Sequence, residues 1–403
     1  MSEAGLAVTT GSSRAGPLPV PVWIKGLLPL GLLGVVTAIF LRLGPIGVVP
    51  GTFPPVEALT IERITLPRPG EMQVRVVNGG PEPSTIAQVL VDDAVWTHRI
   101  DGDRTLGRLE RRTITIPYPW IEGEPHEVTL VTRTGLTFTG RVGVATRTPI
   151  PERRSISALG LLGVYAGVIP VFLGLSWLPF LRALRRRWLG FFLCLTIGLL
   201  AYLAVDALAG ALESSTRVPG AFQGPALVLL GALGTPLLIA AFGEWKPRAG
   251  TGALSPLSVS GLVAVGLGLH NLGQGLAIGS AYAAGEIALG AALVVGFLLH
   301  HSAQGLGLAA STAEAARPGQ LALLGAIAGV PTLLGTWIGG FSSSPLWNTV
   351  VFAVGGGALI QAIAVLWRFL AQRAEGRLTH PLRVAGLVLG LLAMYFTGLA
   401  VPV

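Results

Sequence analysis

Residues 257–283 read LSVSGLVAVGLGLHNLGQGLAIGSAYA, and residues 286–310 read EIALGAALVVGFLLHHSAQGLGLAA. At about 1.5 Å per residue, each stretch is long enough to cross the roughly 30 Å hydrocarbon layer of a bilayer as a helix. Each carries one polar insertion near its middle. Gly266-Leu-Gly-Leu-His270-Asn271-Leu-Gly-Gln274-Gly275-Leu276 returns thirty residues later as Gly296-Phe-Leu-Leu-His300-His301-Ser-Ala-Gln304-Gly305-Leu306. His270 and Gln274 are four apart and share a helix face, as do His300 and Gln304. Asn271 and His301 sit about 100° further round and reach a second layer of the same cavity. Polar groups at mid-membrane depth are expensive and as a rule face the bundle interior or a water-filled path. Consecutive spans run antiparallel, so two copies of a motif at one depth are expected to face each other across an in-plane pseudo-two-fold axis. Gly275 and Gly279 after one motif, and Gly305 and Ala309 after the other, permit close helix approach.

The rest of the chain fits that reading. Of 403 residues, 51% are hydrophobic and 12% charged, with 56 Gly, and the mean hydropathy is +0.68. Soluble domains carry about 25% charged residues, so this composition argues against a water-soluble globule. The net charge of +8 does not point to nucleic acid, because the cations sit beside apolar spans or in one domain. The single cysteine, Cys194, lies in an apolar stretch and forms no intrachain disulfide.

Working outward, the spacing predicts spans near 156–178, 188–212, 222–243, 257–283, 286–310, 320–340, 347–370 and 382–402, with an uncleaved anchor over 22–43. Residues 1–21 read as a disordered cytoplasmic tail. Residues 52–149 change character: Met72 to Val77, Ile86 to Val91, Thr113 to Ile116, Val128 to Thr132 and Leu136 to Val142 are β-rich and partly alternating, with turn clusters between them. About seven short strands in that length suggest an Ig-like β-sandwich. The expected fold is therefore an all-α polytopic membrane bundle over 156–403, eight spans plus one N-terminal anchor helix, with an inserted extracytoplasmic β-sandwich domain. Orientation follows from the connections. One set holds Arg182, Arg185, Arg186, Arg187, Lys246, Arg248, Arg317, Arg368, Arg373, Arg377 and Arg383, and the other only Arg217. By the positive-inside rule the first set is cytoplasmic, so the β-domain and C-terminus lie outside the cell membrane.

At the two motifs the sequence resembles the ZIP family of divalent-metal transporters, which carries His-Asn-x-Pro-Glu-Gly or a close variant in its fourth and fifth helices. The matches are His270-Asn271-Leu272-Gly273-Gln274-Gly275 and His300-His301-Ser302-Ala303-Gln304-Gly305, followed by Leu276-Ala277-Ile278-Gly279 and Leu306-Gly307-Leu308-Ala309. The span count and the run Phe352-Ala353-Val354-Gly355-Gly356-Gly357-Ala358 are similar too. The resemblance covers about 156–403 and implies a permease moving zinc or another first-row metal into the cytoplasm. It implies His270 and His300 as principal ligands, Gln274 and Gln304 as oxygen ligands, and Asn271 and His301 at an adjoining position. The chain departs from the family at both motif glutamates, which are Gln274 and Gln304 here, and Ile327 to Gly335 contains no acid. Neutral imidazole suits Zn²⁺, Cu, Fe or Ni, while an amide oxygen is a weaker ligand than a carboxylate. Weaker metal binding than in a carboxylate-bearing relative is expected.

Asp206 is the best candidate for an acid at the pore entrance. In the β-domain, His98, His126, Asp92, Asp93, Asp101 and Asp103 could capture metal outside, though their spacing matches no ligand pattern. An enzyme is not expected: there is no His-Glu-x-x-His zinc-protease pattern and no Gly-x-Ser-x-Gly elbow in a span. Haem ligation by His270 and His300 is less well matched, because the Gln, Asn and second His companions suit a polar ion path better than a flat macrocycle. The expected partners are a divalent metal ion as substrate and the lipid bilayer, without nucleic acid and with no resident cofactor. The oligomer stays open, a homodimer included. A second function keeps the fold and drops transport: a degenerate ZIP-like membrane sensor or assembly partner acting through its β-domain.

Overall fold

The structure, a computed structural model, describes residues 22–43, 56–245, 255–313, 317–342, 344–373 and 380–399. The tail expected over 1–21 lies outside the described residues, as do Lys246, Arg248 and Arg377. Helix α1 (Val22–Leu43) covers the segment expected as an anchor and belongs to a unit of its own; its stretch Leu27–Ile39 is a shorter apolar helix than the spans described below.

The second unit, Val56–Val403, opens with a sheet domain. Its strands are β1 (Leu59–Arg68), β2 (Glu71–Asn78), β3 (Ser84–Val91), β4 (Ala94–Val95), β5 (Arg99–Ile100), β6 (Thr105–Leu106), β7 (Arg111–Ile116), β8 (His126–Thr132) and β9 (Thr137–Val142). One antiparallel sheet runs β1-β2-β7-β5 and the other β4-β3-β8-β9, with β6 paired to β3. The alternation that marked the strands is the alternation of burial. Met72, Val74 and Val76 of β2, with Ile114 and Ile116 of β7, join Ile86, Val89 and Val91 of β3 and Val128 and Leu130 of β8 in one core. Strand β1, the longest, was not among the segments singled out above. Its register slips between Ile61 and Arg63 and again between Thr65 and Arg68. The apolar phase therefore shifts from Leu59 and Ile61 to Ile64 and Leu66, which hides the period of two.

Eight helical runs among the described residues are long and apolar enough to cross a membrane. The first is composite: α2 (Arg153–Gly163), a π-turn (Val164–Val168), α3 (Ile169–Leu175) and α4 (Leu178–Ala183). The others are α5 (Arg186–Ser215), α6 (Gly224–Trp245), α7 (Pro256–Ala283), α8 (Ile287–Thr312), α9 (Pro318–Ser342), α10 (Pro345–Arg373) and α11 (Pro381–Leu399). Their bounds agree with the eight expected segments to within a few residues. α7 lies along α9, α3 along α8, and α5 against α10 and α11.

The sheet domain sits on one end of this bundle and touches three of its connections. The Arg63 guanidinium donates to the Gly340 carbonyl at the end of α9, at 3.1 Å. Gly79 lies against Pro219, between α5 and α6, and Val144 and Thr146 lie against Gly285, between α7 and α8. Gly285 has φ +80° there, and an added Cβ would meet the Val144 carbonyl oxygen, so both backbone and space call for glycine. Between β1, β9 and these helix ends is a cavity of about 650 Å³, lined in part by Arg63, Ser280, Glu286 and Asn348.

Candidate functional site

All six motif side chains are buried, none more than 8% exposed, midway along α7 and α8. The Gln274 amide reaches both histidines of the second motif: its nitrogen lies 2.7 Å from His300 Nε2 and its oxygen 2.6 Å from His301 Nε2. His301 Nδ1 lies 2.5 Å from the Ala166 carbonyl oxygen. That carbonyl is free for a local reason. The residue four positions on is Pro170, which has no N–H, and the chain here takes a π-turn. With the Gln274 amide in this orientation, His301 has an oxygen against each ring nitrogen. Turning the Gln274 amide over satisfies all three contacts with neutral rings: His301 Nδ1–H donates to Ala166, the amide N–H to His301 Nε2, and His300 Nε2–H to the amide oxygen.

The second half of the network runs the other way between the helices. Asn271 Nδ2 donates to Gln304 Oε1 at 2.9 Å and to the Ala328 carbonyl of α9 at 3.0 Å. The two halves correspond residue by residue. Gln274 to His301 mirrors Gln304 to Asn271, and the carbonyl of Ala166 mirrors that of Ala328. The backbone repeats the symmetry: an added Cβ on Gly174 would meet the Ser302 carbonyl, and one on Gly335 the Leu272 carbonyl. Likewise a Cβ on Gly305 would meet the Val171 carbonyl and one on Gly275 that of Thr332. The glycine faces thus pack outward, α7 on α9 and α8 on α3, rather than α7 on α8. That leaves the polar faces of α7 and α8 to meet.

One link of the symmetric pattern is not made. The counterpart of Gln274 to His300 would join Gln304 to His270. Yet His270 Nε2 and Gln304 Nε2 are both buried without a hydrogen-bond partner among the described residues. Asn271 Oδ1 and the hydroxyl of Thr332, wholly buried on α9, share that condition. Thr332 is a buried polar residue outside both motifs, packed against Gly275 of α7 and Gly167 of the π-turn. Its signal is a short repeat, Pro170-Val171-Phe172-Leu173-Gly174 against Pro331-Thr332-Leu333-Leu334-Gly335, which aligns Thr332 with Val171.

Asp206 lies on α5, exposed, and takes no part in this network. Among the described residues no group of three or more His, Cys, Asp and Glu is close enough to hold a metal ion. This includes the three motif histidines and the acids and histidines of the sheet domain. There, Asp92 is taken up by protein donors: the Glu127 N–H at 2.8 Å, the Tyr118 hydroxyl at 2.7 Å and His126 Nδ1 at 2.8 Å. Asp92 and Asp93, at φ +50° and +63°, form the two-residue turn from β3 to β4. The cluster therefore reads as a knot that fastens this turn to β8.

Burial alone would raise the Asp92 carboxyl. The bonds from Glu127, Tyr118 and His126 outweigh it and hold the group below the usual carboxylate range. Burial and then Asp92 push the Tyr118 phenol up to about 12, so it remains a donor. A carboxyl depressed on folding stabilises above its unfolded value, near 3.9, and that stabilisation is lost as pH falls through the folded one. Thermal unfolding followed by tryptophan fluorescence should show the wild type losing stability below about pH 4 more steeply than Asp92→Asn. Parallel pH profiles would show that the knot contributes nothing.

No family model matches the chain, and no curated protein matches it.

Proposed function

We propose that the chain is a multi-pass membrane permease, ZIP-like in its motif pair, that carries a divalent first-row metal cation across the cell membrane into the cytoplasm. Eight long apolar helices support membrane insertion. The arginine-rich connections support an orientation with the sheet domain and C-terminus outside. One observation carries the transport reading. Six matched imidazole and amide side chains from antiparallel helices are buried together at mid-length, where single polar residues would suffice as interhelical bonds worth about 0.6 kcal/mol each. His270, Asn271, Gln274, His300, His301 and Gln304 form the substrate site in this reading, and alternating access of the helix groups around it exposes the cation to either side. Neutral donors bind a dication weakly and release it readily, as conduction requires.

The protein reconstituted in proteoliposomes should take up Zn²⁺ or another first-row divalent ion, and the His270→Ala, His300→Ala double variant should lose uptake. Undiminished uptake in the double variant would reject the site. A second reading has its own support: the site has no carboxylate, and Gln274 already satisfies two of its histidines. Failure of every first-row divalent ion to enter would favour that reading, a non-transporting membrane sensor or assembly partner working through the sheet domain.

A further inference from the structure

We infer that the cavity between β1, β9 and the helix ends binds a ligand through a phosphate group, with Arg63 as the principal donor and Ser280 and Asn348 beside it. The site lies at the sheet-domain end of the bundle, apart from the midplane network, and does not rest on the transport reading.

Arg63 reaches the cavity through the first irregularity of β1. The register with β2 slips between Ile61 and Arg63. Ile61 and Ile64, three apart, therefore both pack on the core of the sheet domain, and Arg63 turns to the bundle instead. Its guanidinium carries five N–H donors, and the Gly340 carbonyl takes one of them. No carboxylate lies within ion-pairing distance of it among the described residues. Its register partner across the sheet is another arginine, Arg75, and like charges directly opposite repel. A partly buried cation so placed calls for an anion.

Most other charges on the cavity are already matched. Glu62 accepts from Arg111, Arg141 donates to Glu127, and Arg217 donates to Glu213. Glu286 has no ion-pair partner among the described residues, but it is exposed. Two further lining groups, Ser280 Oγ and Asn348 Oδ1, are buried without a hydrogen-bond partner among the described residues. A hydroxyl inside an apolar helix normally turns back to the carbonyl four residues earlier. Thr196, Ser260, Ser302, Thr336 and Thr349 do so, at 2.8–2.9 Å, and Ser280 does not. Turned over, the Asn348 amide presents its N–H₂ in place of its oxygen. Asn348 stands in the first turn of α10, whose amino end favours an anion. The planar arginine fork matches phosphate with two parallel bonds. The volume of about 650 Å³ exceeds what a bare ion needs and falls in the range of about 300–1,000 Å³ usual for small-molecule pockets. The phosphate is therefore one end of a larger molecule, either a soluble phosphate ester or a phospholipid with its headgroup in the cavity.

The test uses the full chain in detergent, titrated calorimetrically with glycerol phosphate at constant ionic strength, beside thermal unfolding and native mass spectrometry for retained phospholipid. Arg63→Gln should weaken binding by about tenfold or more, and Arg63→Lys should recover part of it, keeping the charge without the fork. Ser280→Ala should weaken binding by about threefold or more while melting like the wild type without ligand. Asn348→Asp, which sets a carboxylate on the cavity, should abolish binding. Arg141→Gln and Arg217→Gln should bind like the wild type. A lower melting temperature in Arg63→Gln with unchanged affinity would overturn the inference and leave Arg63 as a strut between the sheet domain and α9. Losses of equal size in the Arg141 and Arg217 variants would overturn it too, since surface charge at large would then explain the binding. If Arg63→Gln does not fold, Ser280→Ala and Asn348→Asp decide in its place. Phospholipid retained by the wild type and lost from Asn348→Asp identifies a headgroup as the ligand, and glycerol phosphate binding without retained lipid identifies a soluble ester. A wild type that does neither sinks the inference.

Discussion

Replacing Gln304 by glutamate should tighten binding of a divalent first-row cation by about 100-fold. The substitution keeps side-chain length and replaces an unpaired buried N–H₂ with a second carboxylate oxygen, beside Asn271. Near a protein interior of effective dielectric about 20, opposite unit charges 4 Å apart attract by about 4 kcal/mol, and a dication doubles that. Burying the carboxylate costs several kcal/mol, and a net gain of about 3 kcal/mol remains when the metal is present. Without metal the same charge is uncompensated. The variant should therefore melt below the wild type in chelator and above it in saturating Zn²⁺. Gln274→Glu should gain far less, because both Gln274 side-chain atoms are already bonded to His300 and His301. Isothermal titration with Zn²⁺, with and without chelator pretreatment, decides it. Equal gains from the two substitutions would contradict the inequality of the two halves, and no gain from either would remove the metal reading.

What could be read from the sequence was set by how local the cause was. The eight apolar helices were legible because length and composition alone determine whether a segment can be buried as a helix. The motif pair was legible because both copies are contiguous and share one period. Strand β1 was not, since its bulges break the alternation on which strand reading depends. The six motif residues could be singled out from their repeat, but not how they pair. The motif suggested equivalent copies, whereas His300 is bonded to Gln274 and His270 Nε2 is bonded to nothing among the described residues. Ala166 takes part only through its backbone carbonyl, which has no residue signature except the proline four places on. The Thr332 hydroxyl stays unpaired because Asn271, distant in sequence, takes the carbonyl it would otherwise use. That is a tertiary cause, and no reading of α9 alone reaches it.

The same symmetry makes a sharp prediction about glycine, in which one substitution has opposite signs at two points on α7. Gly275→Ala should destabilise the protein by at least about 3 kcal/mol, at or beyond the upper end for overpacking. Its Cβ would meet the carbonyl oxygen, carbonyl carbon and Cα of Thr332, all backbone. Thr332 has no room to retreat, because its side chain already abuts Gly167. Relief would require moving α9 as a whole, and Gly335 and Gly339 pin that helix against the Leu272 and Leu276 carbonyls. Gly261→Ala, in the second turn of the same helix, meets nothing within 4 Å. It should stabilise by about 0.5–1 kcal/mol, the ordinary advantage of alanine over glycine in a helix. Both changes remove the same backbone freedom from the unfolded chain, so the unfolded state cancels between them. The difference in melting temperature then reports the packing at Gly275 alone. Thr332→Ala in the Gly275→Ala background would not rescue it, because the collision is with backbone atoms that every residue at position 332 shares. Recovery of wild-type stability in that double variant would show that the α7–α9 contact yields at the side chain, and that the approach of the two backbones is not what limits residue size at Gly275.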